Sequence, residues 1–161
     1  MEILFDRAQV IGDLLKQRQQ TISVAESSAG GLVSAALLSV PGASAYYIGG
    51  GVIYTRDARR ELLNLPDKII TMNAANEDYA LIVAKATHEK LGTTWGVCET
   101  GATGPTGNRY GDPAGHVSIA VAGPKNQAMT LQTGDSDRKA NMLAFAMATL
   151  NFLESVIAEP T

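Results

Sequence analysis

Two stretches of this chain hold residue types able to do chemistry. In "ESSAGG", Glu26 to Gly31, an acid and two hydroxyls precede a pair of glycines. In "ETGATGPTGNRYGDPAG", Glu99 to Gly115, an acid and a hydroxyl again precede glycine, and the segment runs on as a long polar loop. A serine hydroxyl is a poor nucleophile until a neighbouring base takes its proton, and the oxyanion it forms needs donors. Free N–H groups at a helix start can hold an oxyanion or a phosphate, and Gly30 and Gly31 let a ligand come close. A plainer reading stands beside this one: Ser27 or Ser28 caps the helix, and the glycines only permit tight packing. The pattern is neither G-x-S-x-G nor a Walker motif. The second stretch is the stronger anomaly, because a structureless run of about fifteen residues inside a compact domain is uncommon and often functional. Gly101, Gly104, Pro105, Gly107, Gly111, Pro113 and Gly115 imply a shaped loop with fixed turns; an ordinary Ω-loop is its plainer reading.

Other reactive side chains are less promising. His88 and His116 lie in different elements, outside any H-E-x-x-H or cysteine-rich pattern, so no metal is expected. His88 falls on the solvent side of its helix. His116 opens a strand after the long loop and from there can reach a ligand crevice, but no spacing supports a Ser-His-Asp triad. Cys98 sits within an apolar strand and reads as a buried, inert thiol.

The elements that must position these residues follow from periodicity. Ile3, Leu4, Ala8, Ile11, Leu14 and Leu15 predict a helix over residues 2–19, followed by the strand "TISVA". After the hinge, Leu32, Val33, Ala36 and Leu37 mark a second helix, ended near Pro41-Gly42. "AYYIGGGVIYT" predicts a strand pair joined or kinked at Gly49-Gly50-Gly51. As an exposed apolar face, the same stretch would suit a structural oligomerisation domain, although aromatic residues in a strand are more often core. "RDARRELLNL" is a short helix closed before Pro66, and Asn76 caps a longer one reaching Leu91. "TWGVCET" is a strand, "HVSIAVAG" and "AMTLQT" form a hairpin, and a last helix covers residues 136–156. This order predicts a three-layer α/β/α single domain, residues 1–161, with a mixed, mostly parallel sheet whose hairpin supplies the antiparallel element. In such sheets the ligand crevice lies past the carboxyl ends of strands, where both chemical stretches fall.

With 161 residues, 45% hydrophobic and 18% charged, the chain has enough length and apolar content for one domain with a real core. A net charge of −3 leaves no electrostatic footprint for nucleic acid. A lone cysteine gives no sign of an oxidising compartment. "MEILFDRAQV" reads as an amphipathic helix instead of a signal peptide, and no apolar run approaches bilayer-spanning length. A soluble, cytoplasmic protein with no membrane partner is the expectation.

Taken together and in order, "SVAESSAGG", "GGGVIYTRDARRELL", "NEDYALIVA", "ETGATGPTGN" and "GHVSIAVAGP" resemble the CinA C-terminal family, whose active members are nicotinamide mononucleotide deamidases. The resemblance covers residues 5–155 and implies the same three-layer fold. It also implies hydrolysis of a pyridine-nucleotide carboxamide to acid plus ammonia, without a cofactor. In the family a serine of the E-S-x-x-G-G hinge is the nucleophile, which places that role on Ser27. A tyrosine, here Tyr54, stands five residues before a lysine that serves as base. Glu26, Ser28, Gly30, Gly31, Thr100, Gly101, Gly104 and Pro105 would then surround the substrate, and self-association as a homo-oligomer is implied as well.

The departures fall at the chemistry. Arg59 stands where the family has its lysine, and arginine stays protonated, so it cannot be the general base. Ser28 and Ala29 replace the common Cys-Thr of the hinge, and Asn76 replaces a serine before Glu77. Ser136 and Ala140 stand at or near the positions of two family arginines, with Arg138 or Lys139 as substitutes for holding a phosphate. Two readings stay open. In one, the chain is an amidohydrolase in which Ser27 attacks, Tyr54 relays the proton, and Arg59 lowers the tyrosine pKa or binds the substrate phosphate. In the other, it is a catalytically silent module binding a nucleotide or a partner protein in the same crevice.

Overall fold

Alternating side-chain direction along the strands shows how the layers are made. On β4 (His116–Ala122), Val117, Ile119 and Val121 point to one side of the sheet, while Ala120 and Ala122 join the core on the other. Every residue of this strand is buried, as expected of a strand covered by helices on both faces. The computed structural model describes residues 1–160. The chain runs α1 (Glu2–Arg18), β1 (Ile22–Glu26), α2 (Leu32–Leu38), β2 (Tyr47–Val52), α3 (Arg56–Glu61), α4 (Asp67–Ile70), α5 (Glu77–Leu91), β3 (Trp95–Ala102), β4, β5 (Gln127–Gln132) and α6 (Arg138–Ala158).

All five strands form one sheet in the order β2-β1-β3-β4-β5. β1 pairs in parallel with β2 and β3, whereas β3–β4 and β4–β5 are antiparallel. Only β4 therefore opposes the common strand direction, and the sheet is mixed and mostly parallel as expected. One face packs under α1, α2 and α6, with Trp95, Leu15, Leu150 and Leu153 wholly buried among them. The other face packs under α5, with α3 and α4 beside it, through Ile53, Ile70, Tyr79 and Val83. Asn76 caps α5 as anticipated, its Oδ1 accepting from Tyr79 N at 2.9 Å.

Three expectations need correction. The glycine-rich stretch is not a strand pair: β2 is one edge strand, and its irregularity lies at Ile48, where Ile22 faces Tyr47 but Ser23 faces Gly49. The glycines serve close approach instead, since a Cβ on Gly50 would lie 2.3 Å from Val24 O. The strand β3 continues through Gly101 and Ala102, two residues into the stretch read as loop. Finally, α6 is long and apolar enough to cross a membrane by composition, with a mean hydropathy of 1.4 over 18 residues. Its apolar side is committed elsewhere: Phe145, Ala146, Leu150, Leu153, Val156 and Ile157 are buried against the sheet and neighbouring helices. The helix is thus part of the core of the α/β fold.

Candidate active site at the strand ends

Parallel pairing brings the two chemical stretches together. Ala25 lies opposite Cys98, so the acids that follow, Glu26 and Glu99, stand level at the carboxyl ends of β1 and β3. Both are fully buried, and both turn their carboxylates onto the hinge. Glu26 accepts from Gly31 N at 3.0 Å, Val33 N at 3.1 Å and Ser34 N at 2.7 Å. Glu99 accepts from Ser27 N and Ala29 N, each at 2.9 Å, and from the Ser28 hydroxyl.

This geometry narrows the roles read into the hinge. Most of its amides are not left open for an oxyanion, because two carboxylates take them. Nor do Ser27 or Ser28 cap α2: Gly31 holds the N-cap position at φ +99°, and Glu26 satisfies the helix start from the preceding strand. Glu26 is thus a helix-capping residue, its carboxylate taken up by three amides of the hinge and the helix start. Gly30 (φ +67°) and Gly31 make the left-handed turn this needs, and neither lines the site pocket. Among the described residues, Ser28 N is the one hinge amide between Ser27 and Ser34 with no protein acceptor.

The two hinge serines face different surroundings. Ser28 lines a pocket of about 210 Å³ together with Tyr54, Gly101, Gly104, Asn108 and Arg138. Ser27 is half-buried, has no protein hydrogen-bond partner for its hydroxyl among the described residues, and borders a hollow of about 10 Å³ beside Glu99 and Thr100. That hollow has room for about one water. Only Ser28 therefore combines a pocket wall with a hydroxyl held by a potential base. Burial drives the Glu99 carboxyl above its ordinary range; the Ser28 hydroxyl and the Ala29 and Ser27 amides pull it down, while the Glu26 charge adds to the rise.

The long loop is shaped, as its turns implied, and the first turn of α6 holds it. Asn141, buried, donates to Thr103 O and to Asp135 O, both at 2.8 Å. Arg138 donates through Nη1 to Gly104 O at 2.6 Å and through Nη2 to the Tyr54 hydroxyl at 3.1 Å. Arg138 thus reaches the pocket, and Lys139 and Pro105 do not line it. Thr100 is occupied in the fold, its hydroxyl donating to Ala74 O at 2.6 Å.

Arg59 is not the cation on the tyrosine hydroxyl; Arg138 is. The Arg59 guanidinium instead donates to Ile70 O at 2.8 Å and stacks 5.1 Å from the Tyr79 ring centroid. It also lines a second pocket of about 370 Å³ with Tyr54, Thr55, Arg56, Asp57 and Arg109. Tyr54 borders both pockets, so they adjoin. His116 does not reach the crevice: its ring bonds Ala75 O at 2.8 Å and packs near Asp112. His88 is half-buried, bonded to Thr93 O at 3.1 Å. Cys98 is buried, and burial, with the Glu99 charge behind it, pushes its thiol far above the ordinary range. Among the described residues no three His, Cys, Asp or Glu side chains converge as metal ligands would.

Sequence reasoning passed over Glu99, Asn108, Arg56 and Arg109. For Glu99 a signal existed, because both chemical stretches open on an acid at the end of a strand. The two arginines carried none, because an arginine facing a pocket looks like any surface arginine in a sequence.

Fold and site define a three-layer α/β domain with a crevice at the carboxyl ends of two parallel strands, walled by a serine hinge and a glycine-punctuated loop. The chain belongs to the CinA C-terminal domain family, whose model matches residues 5–157. It is 40% identical over 131 residues to a CinA-like protein of Synechocystis, covering 80% of this chain and 32% of that relative. A CinA-like protein of Salinibacter ruber is 37% identical over 142 residues, 88% of this chain and 34% of the relative. The chain therefore spans about a third of the length of these curated relatives. Among solved structures, the competence/damage inducible protein CihA of Agrobacterium tumefaciens superposes with a TM-score of 0.85 at 28% identity, over 97% of this chain and 96% of that one. A CinA superfamily protein of Klebsiella pneumoniae shares the fold at a TM-score of 0.89 and 22% identity, over 96% and 98% of the two chains.

Proposed function

We propose that this chain is an amidohydrolase that converts the carboxamide of nicotinamide mononucleotide, or a related nucleotide amide, to the acid plus ammonia, with a hinge serine as nucleophile. The observation that carries the reading is the Ser28 hydroxyl, bonded to the buried Glu99 carboxylate on the wall of a pocket shared with Tyr54 and the glycine loop. Glu99 takes the Ser28 proton as Oγ attacks the amide carbon. The oxyanion that forms has the Ser28 N–H and the Arg138 guanidinium as nearby donors. Glu99 then protonates the leaving nitrogen, ammonia departs, and an acyl-enzyme remains. Water, deprotonated by Glu99, frees the acid and returns Ser28 to its hydroxyl form.

The resemblance favours Ser27 as nucleophile, whereas the base geometry favours Ser28, and the two are separable. Ammonia release from nicotinamide mononucleotide is expected to vanish in Ser28→Ala and to survive in Ser27→Ala. The reverse pattern returns the role to Ser27. A second reading has its own support, since Arg59 stands where the family has its base and the hinge amides are mostly taken. On that reading the crevice binds a nucleotide without turning it over, and saturable binding with no ammonia release selects it. A cytoplasmic setting and self-association belong to the same proposal. The unpaired Cys98 supports the first. The second rests on the resemblance, and sedimentation velocity tests it.

A further inference from the structure

Three arginines converge on the pocket beside the site, and among the described residues none of them is paired with a carboxylate. Arg56, Arg59 and Arg109 line it with Tyr54, Thr55 and Asp57. No carboxylate lies within salt-bridge distance of any of the three among the described residues, and Asp57 is paired with Arg60 at 3.4 Å. Arg59 is the telling member. It is only 6% exposed, one guanidinium nitrogen donates to Ile70 O, and its Nε has no partner among the described residues. A buried guanidinium without a counter-ion is costly, and the cost falls when an anion arrives with acceptors to spare.

Two of the three, Arg59 and Arg109, are also held in place before any ligand comes. Arg59 lies over the Tyr79 ring, and Arg109 lies 5.2 Å from the Tyr110 centroid while donating to its hydroxyl at 3.1 Å. Preorganised, planar donors of this kind suit the oxygens of a phosphate. The cluster stands against the net charge of the chain, which is −3.

We propose that the Arg56–Arg59–Arg109 pocket binds the phosphomonoester of the ligand whose reactive end lies at Ser28. Tyr54, common to both pockets, is where such a ligand would cross from one to the other. The proposal rests on the nucleotide part of the reading above and not on its chemistry. Arg59, at the position of the family's base, becomes an anion-binding residue.

The test is calorimetric titration of the full chain with nicotinamide mononucleotide, with nicotinamide riboside, and with inorganic phosphate. The mononucleotide is expected to bind at least about tenfold more tightly than the riboside, and phosphate to compete with it. The double substitution Arg56→Gln, Arg109→Gln, both at exposed positions, is expected to erase that preference while leaving riboside affinity and the melting temperature in place. Equal binding of the two ligands overturns the proposal. So does a preference that survives the double substitution, or the absence of saturable binding by phosphate and mononucleotide alike. Ammonia release is read separately: phosphate preference without turnover keeps this inference and sinks the amidohydrolase, and turnover indifferent to the phosphate does the opposite.

Discussion

At the scale of single residues, Glu99 is the most informative position in the molecule. Its charge is buried, yet every hydrogen bond it accepts comes from the hinge it would serve. Glu99→Gln is a clean probe, because a glutamine oxygen can still accept from the Ser27 and Ala29 amides while its NH₂ donates to Ser28 Oγ. Loss of the base predicts a fall in turnover of about 10²–10⁴-fold. The same substitution has a second, independent signature. With its pKa raised in the folded state, Glu99 binds its proton more tightly when folded than when unfolded. Its contribution to stability is therefore fullest below the unfolded value of about 4.5 and declines as pH climbs through the raised folded value. At neutral pH, Glu99→Gln should melt at a higher temperature than the parent, and the gap should close as pH falls toward 4.5. A variant less stable at neutral pH would mean that the carboxylate is supporting the hinge and not straining it.

At the scale of elements, the site depends on how closely α5 and the strands approach. Gly96 on β3 makes that possible, since a Cβ there would lie 2.1 Å from Ala84 O of α5 and 2.9 Å from His88 Cβ. Gly96→Ala is expected to cost about 3 kcal/mol by urea denaturation, at the upper end of overpacking effects, because the obstacle is helix backbone. Gly92, four residues earlier, is a useful contrast. It closes α5 at φ +66°, and a methyl group there would meet nothing within 4 Å, so only backbone strain opposes Gly92→Ala, about 1 kcal/mol. If the two substitutions cost the same, the α5–β3 contact is looser than these distances require.

On the scale of the whole molecule, α6 joins the core to the site. Its first turn holds the glycine loop through Arg138 and Asn141, and its later turns fill the face shared with α1. Two residues one turn apart separate the contributions. Leu150 is wholly buried, and Leu150→Ala should cost about 2–5 kcal/mol. Glu154 pairs with Arg7 of α1 at 2.6 Å, but both side chains are partly exposed, 26% and 41%, so Glu154→Ala should cost no more than about 1 kcal/mol. Chemical denaturation of both variants checks the contrast. It also explains why a helix with membrane-like composition belongs here to a core: composition records how apolar a helix is, and packing decides against what.

Most of the element order, the ends of α1 and α5 and the two chemical stretches were legible in the chain itself, because periodicity, caps and turn residues are local; the short α4 carried too few residues for a period to show. Asn76 as a cap, the shaped loop after β3 and the burial of Cys98 all follow from neighbours within a few residues. What needed the tertiary structure lies between distant residues. Ser28 and Glu99 are 71 positions apart, and their meeting depends on the register of β1 against β3. Which of two adjacent serines faces the pocket depends on the rotation of a glycine turn whose shape Glu26 sets from below. The gathering of Arg56, Arg59 and Arg109 depends on a helix and a loop meeting from opposite sides of a cleft. Local patterns specify the elements; register and side-chain direction at their ends, on which the chemistry depends, are settled only when the layers pack.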